Sequence, residues 1–385
     1  MGASLAVTPA DGAAVELHLA AYNAQVWGVT KAGKAEVVER TVAIIRRYHM
    51  VFFQEIRDAS QTAIFVLLDA VNAAVAADGR EYHYDMLLSP RLGRTSSKEQ
   101  YAYIFRNNSV VVDSAGVFDE SLLSHADVFE REPYLASFRV LGAAASAPLL
   151  DFVGIHVKPS DAIFELGNMS AVLDTRPRPA IVLGDLNADC SYLSVAEATC
   201  CVPLYADPDY TWLIDWSVDT TVKSTHCAYD RFILPAPYLP FLRPGSAVPF
   251  DFAAAFGLDA AAAEDVSDHY PIELVLDYPA AEAVPPGPPP PPPPSPTALP
   301  PPPASTTTPA STSISNGTVP APSPSPLVTS SGAVVIAAAI GVGCVIVTAA
   351  VVVFILHRKN RLCFAIPNYD LDTMLDAYGP SASEP

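Results

Sequence analysis

The stretch AIVLGDLNADC occupies Ala180 to Cys190. Its first residues, Ala180–Leu183, form the apolar run that is typical of a buried strand. The run ends in Asp185, Asn187 and Asp189, and crowded polar groups beside a core strand are costly to desolvate unless they bind something. The stretch therefore predicts a core strand whose carboxyl end carries a functional site.

Four other strand-like segments also meet polar side chains. They are LHLAAYN with Asn23, VFFQE with Glu55, FVGIH with His156, and EDVSDHYPIELVL with Asp268 and His269. Taken singly, a histidine at a strand end is more often structural and an aspartate more often a turn former. Their joint occurrence matters, because strand ends on one edge of a sheet can converge on a single pocket.

This set of residue types suits phosphodiester hydrolysis. Such a reaction needs a proton acceptor for water, a proton donor for the leaving oxygen, and positive charge at the phosphate. Histidines suit the first two tasks, and oxygen ligands such as Glu55, Asp185 and Asp268 are those that Mg²⁺ or Ca²⁺ prefers.

Strand-like and helix-like segments alternate from Val15 to Leu276, which predicts an α/β fold with many antiparallel neighbours. Ala35–Tyr48 is predicted as a helix with Val38, Val42 and Ile45 on one face. The predicted strands are Leu17–Tyr22, Met50–Phe53, Tyr101–Phe105, Leu135–Val140, Phe152–Val157, Ile181–Leu183 and Ile272–Leu276.

Charge limits the class of function. The 385 residues carry a formal net charge of −19, which argues against a protein that binds nucleic acid through bulk positive potential. A nuclease stays possible, because divalent cations and a few local arginines can supply the charge at the phosphates.

The composition changes after Tyr278. Residues 279–330 are rich in proline, serine and threonine, which predicts a disordered stalk. Residues 331–356 are predicted as a transmembrane helix, because Gly332–Leu356 contains no charged residue and would be roughly 37 Å long as a helix. Residues 357–385 would then be a short cytoplasmic tail that begins with a basic cluster.

The orientation of this span has two readings. The basic cluster, the stalk and the glycosylation sequons at Asn107, Asn168 and Asn316 favour a single-pass protein with its catalytic domain, residues 15–278, outside the cell or in a lumen. Residues 1–16 contain no apolar core of a signal peptide, so a domain facing the cytosol is the alternative.

Eight segments, in order, resemble the signature segments of the deoxyribonuclease I family. They are LHLAAYNAQVWG, VFFQEIRD, LGRTSSKEQYAYIFR, IHVKPSDA, LGDLNADCSYLS, DTTVKSTHCAYDR, PFDFAAAFGL and SDHYPIELVL. The resemblance runs from about Leu17 to Leu276. It implies a four-layer α/β/β/α sandwich of two mainly antiparallel sheets, the fold of the endonuclease/exonuclease/phosphatase superfamily.

The resemblance also implies roles for individual residues. His156 and His269 match the paired acid/base histidines, with Glu99 and Asp230 as the carboxylates that orient them. Asn23 and Asn187 match polar groups at the scissile phosphate. Glu55, Asp185 and Asp268 match the carboxylates around a catalytic divalent ion, which the resemblance implies to be Mg²⁺.

Further sites follow from the same resemblance. It implies one structural Ca²⁺ site at Asp219 and Thr221, and a second at Asp119, Asp127, Phe129 and Glu132. It implies double-stranded DNA as substrate, with contacts from Arg57, Arg131, Tyr192, Ser224, Thr225 and Tyr229. It also implies a structural disulfide between Cys190 and Cys227.

The chain departs from the family pattern at several points. Ser121 and Ser124 stand where relatives of the pancreatic type carry a second disulfide, and Ser97 stands where they carry a tyrosine that stacks in the DNA minor groove. Actin binding, known for some relatives, is not carried over. Cys200 and Cys201 have no family counterpart, and we expect buried free thiols there, with intermolecular pairing as the alternative.

The expected function is a divalent-metal-dependent endonuclease that leaves 5′-phosphate ends. One alternative is a phosphodiesterase of the same fold that acts on another phosphoester, such as a lipid headgroup. Another is a catalytically inactive ectodomain that serves as a binding module. The intact set of histidines and carboxylates favours the nuclease.

Overall fold

The computed structural model describes residues 14–124 and 127–281, which form two six-stranded sheets with helices. The strands are β1 (Ala14–Trp27), β2 (Met50–Ile56), β3 (Tyr84–Leu88), β4 (Gln100–Arg106), β5 (Val110–Val117), β6 (Tyr134–Val140), β7 (Leu150–Gly154), β8 (Ile181–Asp185), β9 (Tyr210–Trp212), β10 (Asp230–Pro235), β11 (Val248–Pro249) and β12 (Ile272–Pro279).

Helices connect many of these strands. The α-helices are α1 (Val29–Ala32), α2 (Ala35–Ile45), α3 (Ala63–Ala77), α4 (Ala162–Gly167), α5 (Met169–Asp174), α6 (Val195–Cys201), α7 (Pro203–Ala206), α8 (Phe252–Phe256) and α9 (Ala260–Val266). Short 3₁₀ helices span Glu120–Leu122, Pro159–Asp161 and Ala236–Phe241.

The two sheets have matching layouts. One has the order β11-β12-β1-β2-β4-β3 and the other β5-β6-β7-β8-β10-β9. The central pair of each sheet, β1 with β2 and β7 with β8, is parallel, and the neighbours are antiparallel. The carboxyl ends of these central strands are therefore where each sheet presents its functional groups.

Three hydrophobic clusters define the layers. The first joins the inner faces of both sheets and includes Phe52, Tyr103, Phe138 and Phe152. The second packs α2, α3 and α9 on the outer face of the first sheet, and the third packs α4 to α7 on the outer face of the second. This helix/sheet/sheet/helix layering confirms the predicted fold class.

The predicted strands are confirmed, with shifted ends. Most extend further than predicted, and β1 continues to Trp27 because it pairs with both β12 and β2. Helix α2 ends at Ile45 rather than Tyr48. Strand β7 ends at Gly154 rather than Val157, so His156 lies just beyond the strand.

Gly184 allows β8 to approach the segment after β7. Its φ is +135°, and a Cβ there would lie 2.1 Å from the carbonyl oxygen of Ile155. A side chain at this position would push the segment that carries His156 away from the end of β8, which carries Asp185.

The structure corrects the expectation for Cys200 and Cys201. These adjacent residues are joined by a disulfide at the end of α6, and Cys200 is exposed, so they are not buried free thiols. The expected disulfide between Cys190 and Cys227 is present, with the Cα atoms 5.8 Å apart.

Most of the predicted stalk, the whole predicted transmembrane helix and the predicted tail lie outside the described residues. Within 14–124 and 127–281, no helix has the length and apolar character to cross a membrane.

Candidate active site

The polar residues that the sequence places at strand ends meet at one edge of the two sheets. Asn23 is in β1, Glu55 in β2, and Asp185 is the last residue of β8. Asp230 opens β10 directly opposite Asp185. His156 and His269 lie in the segments that follow β7 and precede β12.

The amide of Asn23 joins two of the predicted metal ligands. Its Nδ2 donates to Glu55 Oε1 at 3.0 Å and to Asp185 Oδ2 at 2.9 Å. Both Glu55, with φ +59°, and Asn187, with φ +47°, adopt left-handed backbone conformations that are uncommon for such residues. Strained backbone conformations therefore occur at two residues of this site, and such strain is common at functional sites.

His156 is held from its Nδ1 side by Glu99. The ring nitrogen lies 3.0 Å from Glu99 Oε2, and the residue is 6% exposed. Arg131 supports both residues, because its Nε donates to the carbonyl of His156 at 3.1 Å and its Nη1 donates to Glu99 Oε1 at 3.2 Å.

His269 has the same arrangement with a different partner. Its Nδ1 lies 2.8 Å from Asp230 Oδ2, and the hydroxyl of Thr220 donates to the same oxygen at 2.8 Å. Asp230 is fully buried. Each histidine thus has one carboxylate at Nδ1, which fixes its tautomer and leaves Nε2 for chemistry.

Both Nε2 atoms point to the same carboxylate oxygen. Asp185 Oδ2 lies 3.5 Å from His156 Nε2 and 3.6 Å from His269 Nε2. The two imidazoles therefore flank one position, as a proton donor and a proton acceptor must if they act on a single phosphate.

The charges in this cluster shift its protonation. Burial and Arg131 lower the pKa of His156, but Glu99 and Asp185 outweigh them and raise it. Burial also lowers the pKa of His269, yet Asp230 and Asp185 raise it from 6.5 to about 10. Burial raises the pKa of Asp185, but the two imidazoles and the Asn23 amide bring it below its usual value.

The donor set suits a hard divalent cation. Glu55 and Asp185 present neighbouring oxygens that a single amide bridges, and oxygen is the ligand type that Mg²⁺ and Ca²⁺ prefer. Asp185, Asp230 and His269 also form a group compact enough to hold a metal ion. Since Asp230 is already bonded to His269, Glu55 and Asp185 are the better ligand pair.

The third predicted ligand of the catalytic ion, Asp268, also lines the cavity. Its Oδ2 accepts from Lys223 Nζ at 2.9 Å, and its Oδ1 is 4.0 Å from His269 Nε2. Asn187, the second predicted phosphate contact, donates through Nδ2 to the Val157 carbonyl at 2.9 Å.

The two predicted calcium sites differ in how the structure arranges them. Asp219 Oδ1 accepts from the backbone and hydroxyl of Thr221, so these two residues lie together. In the second set, Asp119 caps a 3₁₀ helix, Asp127 binds Arg94, Phe129 is buried and donates its backbone N–H to Glu120, and Glu132 is half-buried. No ligand group of three acidic, thiol or imidazole side chains forms at either place among the described residues.

The predicted DNA contacts separate into exposed and buried groups. Tyr192, Thr225 and Tyr229 line the open cavity that both histidines also line, and Ser224 is exposed beside it. Arg57 is one-third exposed, with its guanidinium bonded to Ser97 and 3.8 Å from Glu99. Arg131 is only 8% exposed, so its side chain faces the Glu99–His156 pair rather than the cavity.

Three contributors to the site lie within the segments VFFQEIRD and DTTVKSTHCAYDR, but the sequence predicts no individual role for them. Thr220 supports Asp230, Gln54 accepts the backbone N–H of Asp185 through Oε1 at 2.9 Å, and Lys223 pairs with Asp268. Thr220 is 10 residues from Asp230, Lys223 is 45 from Asp268 and Gln54 is 131 from Asp185. Only the packed structure shows what each of them contacts.

Comparison with known proteins identifies close relatives. The chain is 38% identical over 285 residues to deoxyribonuclease-1 of Bos taurus, in an alignment that covers 72% of this chain and 98% of that protein. It is 38% identical over 283 residues to deoxyribonuclease-1 of Homo sapiens, with 72% and 98% covered. The enzyme of Ovis aries is 38% identical over 267 residues, with 68% and 100% covered.

Solved structures are more distant. An endonuclease/exonuclease/phosphatase family protein from Bacteroides thetaiotaomicron aligns with a TM-score of 0.45 and 13% identity, over 69% of this chain and 98% of that one. The human Nocturnin catalytic domain aligns with a TM-score of 0.44 and 14% identity, over 69% and 96%. No protein-family model matches the chain.

Proposed function

Because the chain belongs to the deoxyribonuclease I family and is a metal-dependent deoxyribonuclease, we propose that it is an endonuclease that uses two histidines and leaves 5′-phosphate ends. The observation that carries this proposal is the convergence of His156 Nε2 and His269 Nε2 on one oxygen of Asp185. A binding module would have no need for two oriented imidazoles at one point.

In the proposed reaction, one imidazole accepts a proton from the attacking water at Nε2. The other donates its Nε2 proton to the leaving 3′ oxygen as the P–O3′ bond breaks and the bond from the water oxygen to phosphorus forms. Glu99 and Asp230 hold the two rings and stabilise their charged forms.

A divalent cation, Mg²⁺ in our proposal, would be held by Glu55 and Asp185 with Asp268 nearby. When bound, it supplies positive charge to the phosphate in an otherwise acidic site. Asn23 keeps the carboxylates of Glu55 and Asp185 adjacent. Asn187 lies beside them, and its side chain donates a hydrogen bond to the Val157 carbonyl. We propose Ca²⁺ as the structural ion, with Asp219 and Thr221 as the better-assembled pair of ligands.

Double-stranded DNA is the proposed substrate. Tyr192, Thr225 and Tyr229 line the cavity and Ser224 is exposed beside it, which supports the proposal that they contact the DNA backbone. Arg57 is the predicted arginine that remains accessible. Stacking on an aromatic ring is worth about 1 to 3 kcal/mol per base. Because Ser97 stands in place of a tyrosine, we propose that cleavage is weaker or less sequence-biased, and Ser97→Tyr should increase the rate or the sequence bias of DNA cleavage.

We also propose that the enzyme is displayed on a membrane by residues 331–356. The support is the uncharged stretch Gly332–Leu356 and the basic cluster that follows it. Protease treatment of intact cells should release a fragment with metal-dependent DNA cleavage. Protection of the domain until the cells are permeabilised would place it in the cytosol instead.

Plasmid nicking tests the enzymatic proposal. The wild-type chain should nick supercoiled plasmid when Mg²⁺ and Ca²⁺ are present, and His156→Ala should lower the rate by about 10²- to 10⁴-fold, the usual contribution of acid–base catalysis. His83→Ala is the control, because His83 also lies near a carboxylate but is exposed. Equal nicking by wild type and His156→Ala would overturn the mechanism, and no nicking by wild type would favour a binding module.

A further inference from the structure

Lys223 contributes positive charge to the cavity of the site. Among the described residues that line this cavity, it is the one lysine or arginine. Its Nζ lies 2.9 Å from Asp268 Oδ2 and 3.6 Å from Glu264 Oε1. The side chain is 44% exposed, so the ammonium stays accessible to a ligand in the cavity.

The backbone of Lys223 is held beside the histidine-bearing segment. The N–H of Val222 donates to the Asp268 carbonyl at 2.9 Å, and the N–H of Tyr270 donates to the Thr220 carbonyl at 2.8 Å. These bonds fix the segment from Thr220 to Val222 against the segment that carries His269. The flexible four-carbon stem of Lys223 therefore starts from a fixed point at the cavity edge.

From this placement we infer that Lys223 binds a phosphate oxygen of the DNA backbone next to the phosphate that is cleaved. The inference rests on the proposed function. Lysine binds phosphate as a point charge, and three carboxylates in the cavity lining, Glu55, Asp185 and Asp268, would otherwise repel the phosphate. Asp268 holds the ammonium in position before the substrate arrives.

The energy of the Lys223–Asp268 pair permits this exchange. An exposed ion pair contributes little to stability, so giving up the carboxylate costs little. A phosphate contact gains more, because it releases condensed counterions from the DNA, and each such contact adds about 0.9 to the slope of log affinity against log salt for a duplex.

The dependence of DNA affinity on salt tests the inference. Binding of a short fluorescent duplex is measured by anisotropy in Mg²⁺ in the His156→Ala, His269→Ala background, with gels to check that the duplex stays intact. Adding Lys223→Gln should reduce the salt slope by about 0.9, and adding Lys223→Arg should leave it unchanged. Lys34→Gln is the matched control, because Lys34 also pairs with an aspartate at 2.9 Å but lies outside the cavity.

The outcomes separate this inference from the proposed function. A loss of slope in Lys223→Gln, with Lys223→Arg and Lys34→Gln unchanged, supports the phosphate contact. The same slope in Lys223→Gln and the parent overturns it, even if plasmid nicking by the wild-type chain succeeds. If wild-type nicking fails, the proposed function is wrong, and the slope still decides whether Lys223 binds phosphate.

Discussion

Asp230 governs the charge on His269. Its carboxylate lies 2.8 Å from the ring and raises the pKa of His269 to about 10 despite burial, with help from Asp185. Asp230→Asn keeps the shape but removes the anion. We expect kcat for DNA cleavage to fall by about 10²- to 10⁴-fold, and the pKa of His269, measured by NMR titration, to fall.

The same pair predicts how stability depends on pH. A histidine whose pKa is higher in the folded than in the unfolded state stabilises the fold when protonated. This contribution is complete below 6.5 and is lost as the pH rises toward about 10. Asp230→Asn should therefore flatten the fall in unfolding free energy over this range, whereas Asp85→Asn, beside the exposed His83, should not. An unchanged pH profile in Asp230→Asn would show that the pair does not set the charge.

Arg131 and Arg57 contact the same carboxylate from different environments. Arg131 is buried and bonds Glu99 at 3.2 Å, whereas Arg57 is one-third exposed and lies 3.8 Å from it. Arg131→Ala leaves a buried carboxylate with one fewer partner, so we expect the unfolding free energy to fall by about 3 to 5 kcal/mol. Arg57→Ala should cost less than about 1 kcal/mol and weaken DNA binding. Urea unfolding measures the first effect and anisotropy the second.

If Arg131→Ala left the unfolding free energy unchanged and lowered DNA affinity, Arg131 would be a DNA contact rather than a structural residue. The sequence predicts both as DNA contacts because motif position does not report burial. The partners of Arg131 are 32 and 25 residues away along the chain, and only the packed structure brings them together.

At the level of elements, the disulfide from Cys190 to Cys227 joins the segment after β8 to the segment before β10. It closes a loop with a sequence separation of 37. In the chain-entropy account, removing such a cross-link costs about 4 kcal/mol. We expect Cys190→Ser with Cys227→Ser to lower the unfolding free energy by about this amount, as measured by urea denaturation under oxidising conditions.

The second disulfide provides the matched control. Cys200 and Cys201 are adjacent and close no loop of chain, so Cys200→Ser with Cys201→Ser should leave the unfolding free energy nearly unchanged. A large loss in this control, or no loss in the Cys190 and Cys227 variant, would contradict the loop-closure explanation.

Much at this level is predictable from local pattern. Apolar runs that end in Asn23, Glu55 and Asp185 identify core strands, because an apolar run and the polar residue that ends it can both be seen in adjacent residues. The strand ends and side-chain partners are not predictable in the same way. Strand β7 ends before His156 because its pairing with β6 stops at Gly154. The partner of Lys223, Asp268, is 45 positions away along the chain.

At the scale of the whole molecule, an acidic chain folds so that several carboxylates meet at one sheet edge. Glu55 and Asp185 share the Asn23 amide, and the chain carries a net charge of −19. A divalent cation that binds this cluster only in the folded state stabilises it by mass action. At about 100 times its dissociation constant, the gain is about 2.7 kcal/mol.

We therefore expect Mg²⁺ to raise the melting temperature by at least about 5 °C, since a domain of this size shifts by roughly 2 to 4 °C per kcal/mol. Differential scanning calorimetry with and without chelator measures the shift, and NaCl at equal ionic strength separates ion binding from screening. Asp185→Asn should lose most of the Mg²⁺ shift, because Asp185 is fully enclosed between Asn23 and the two histidines. An equal shift with NaCl, or a full Mg²⁺ shift in Asp185→Asn, would mean that the cation does not bind at this carboxylate cluster.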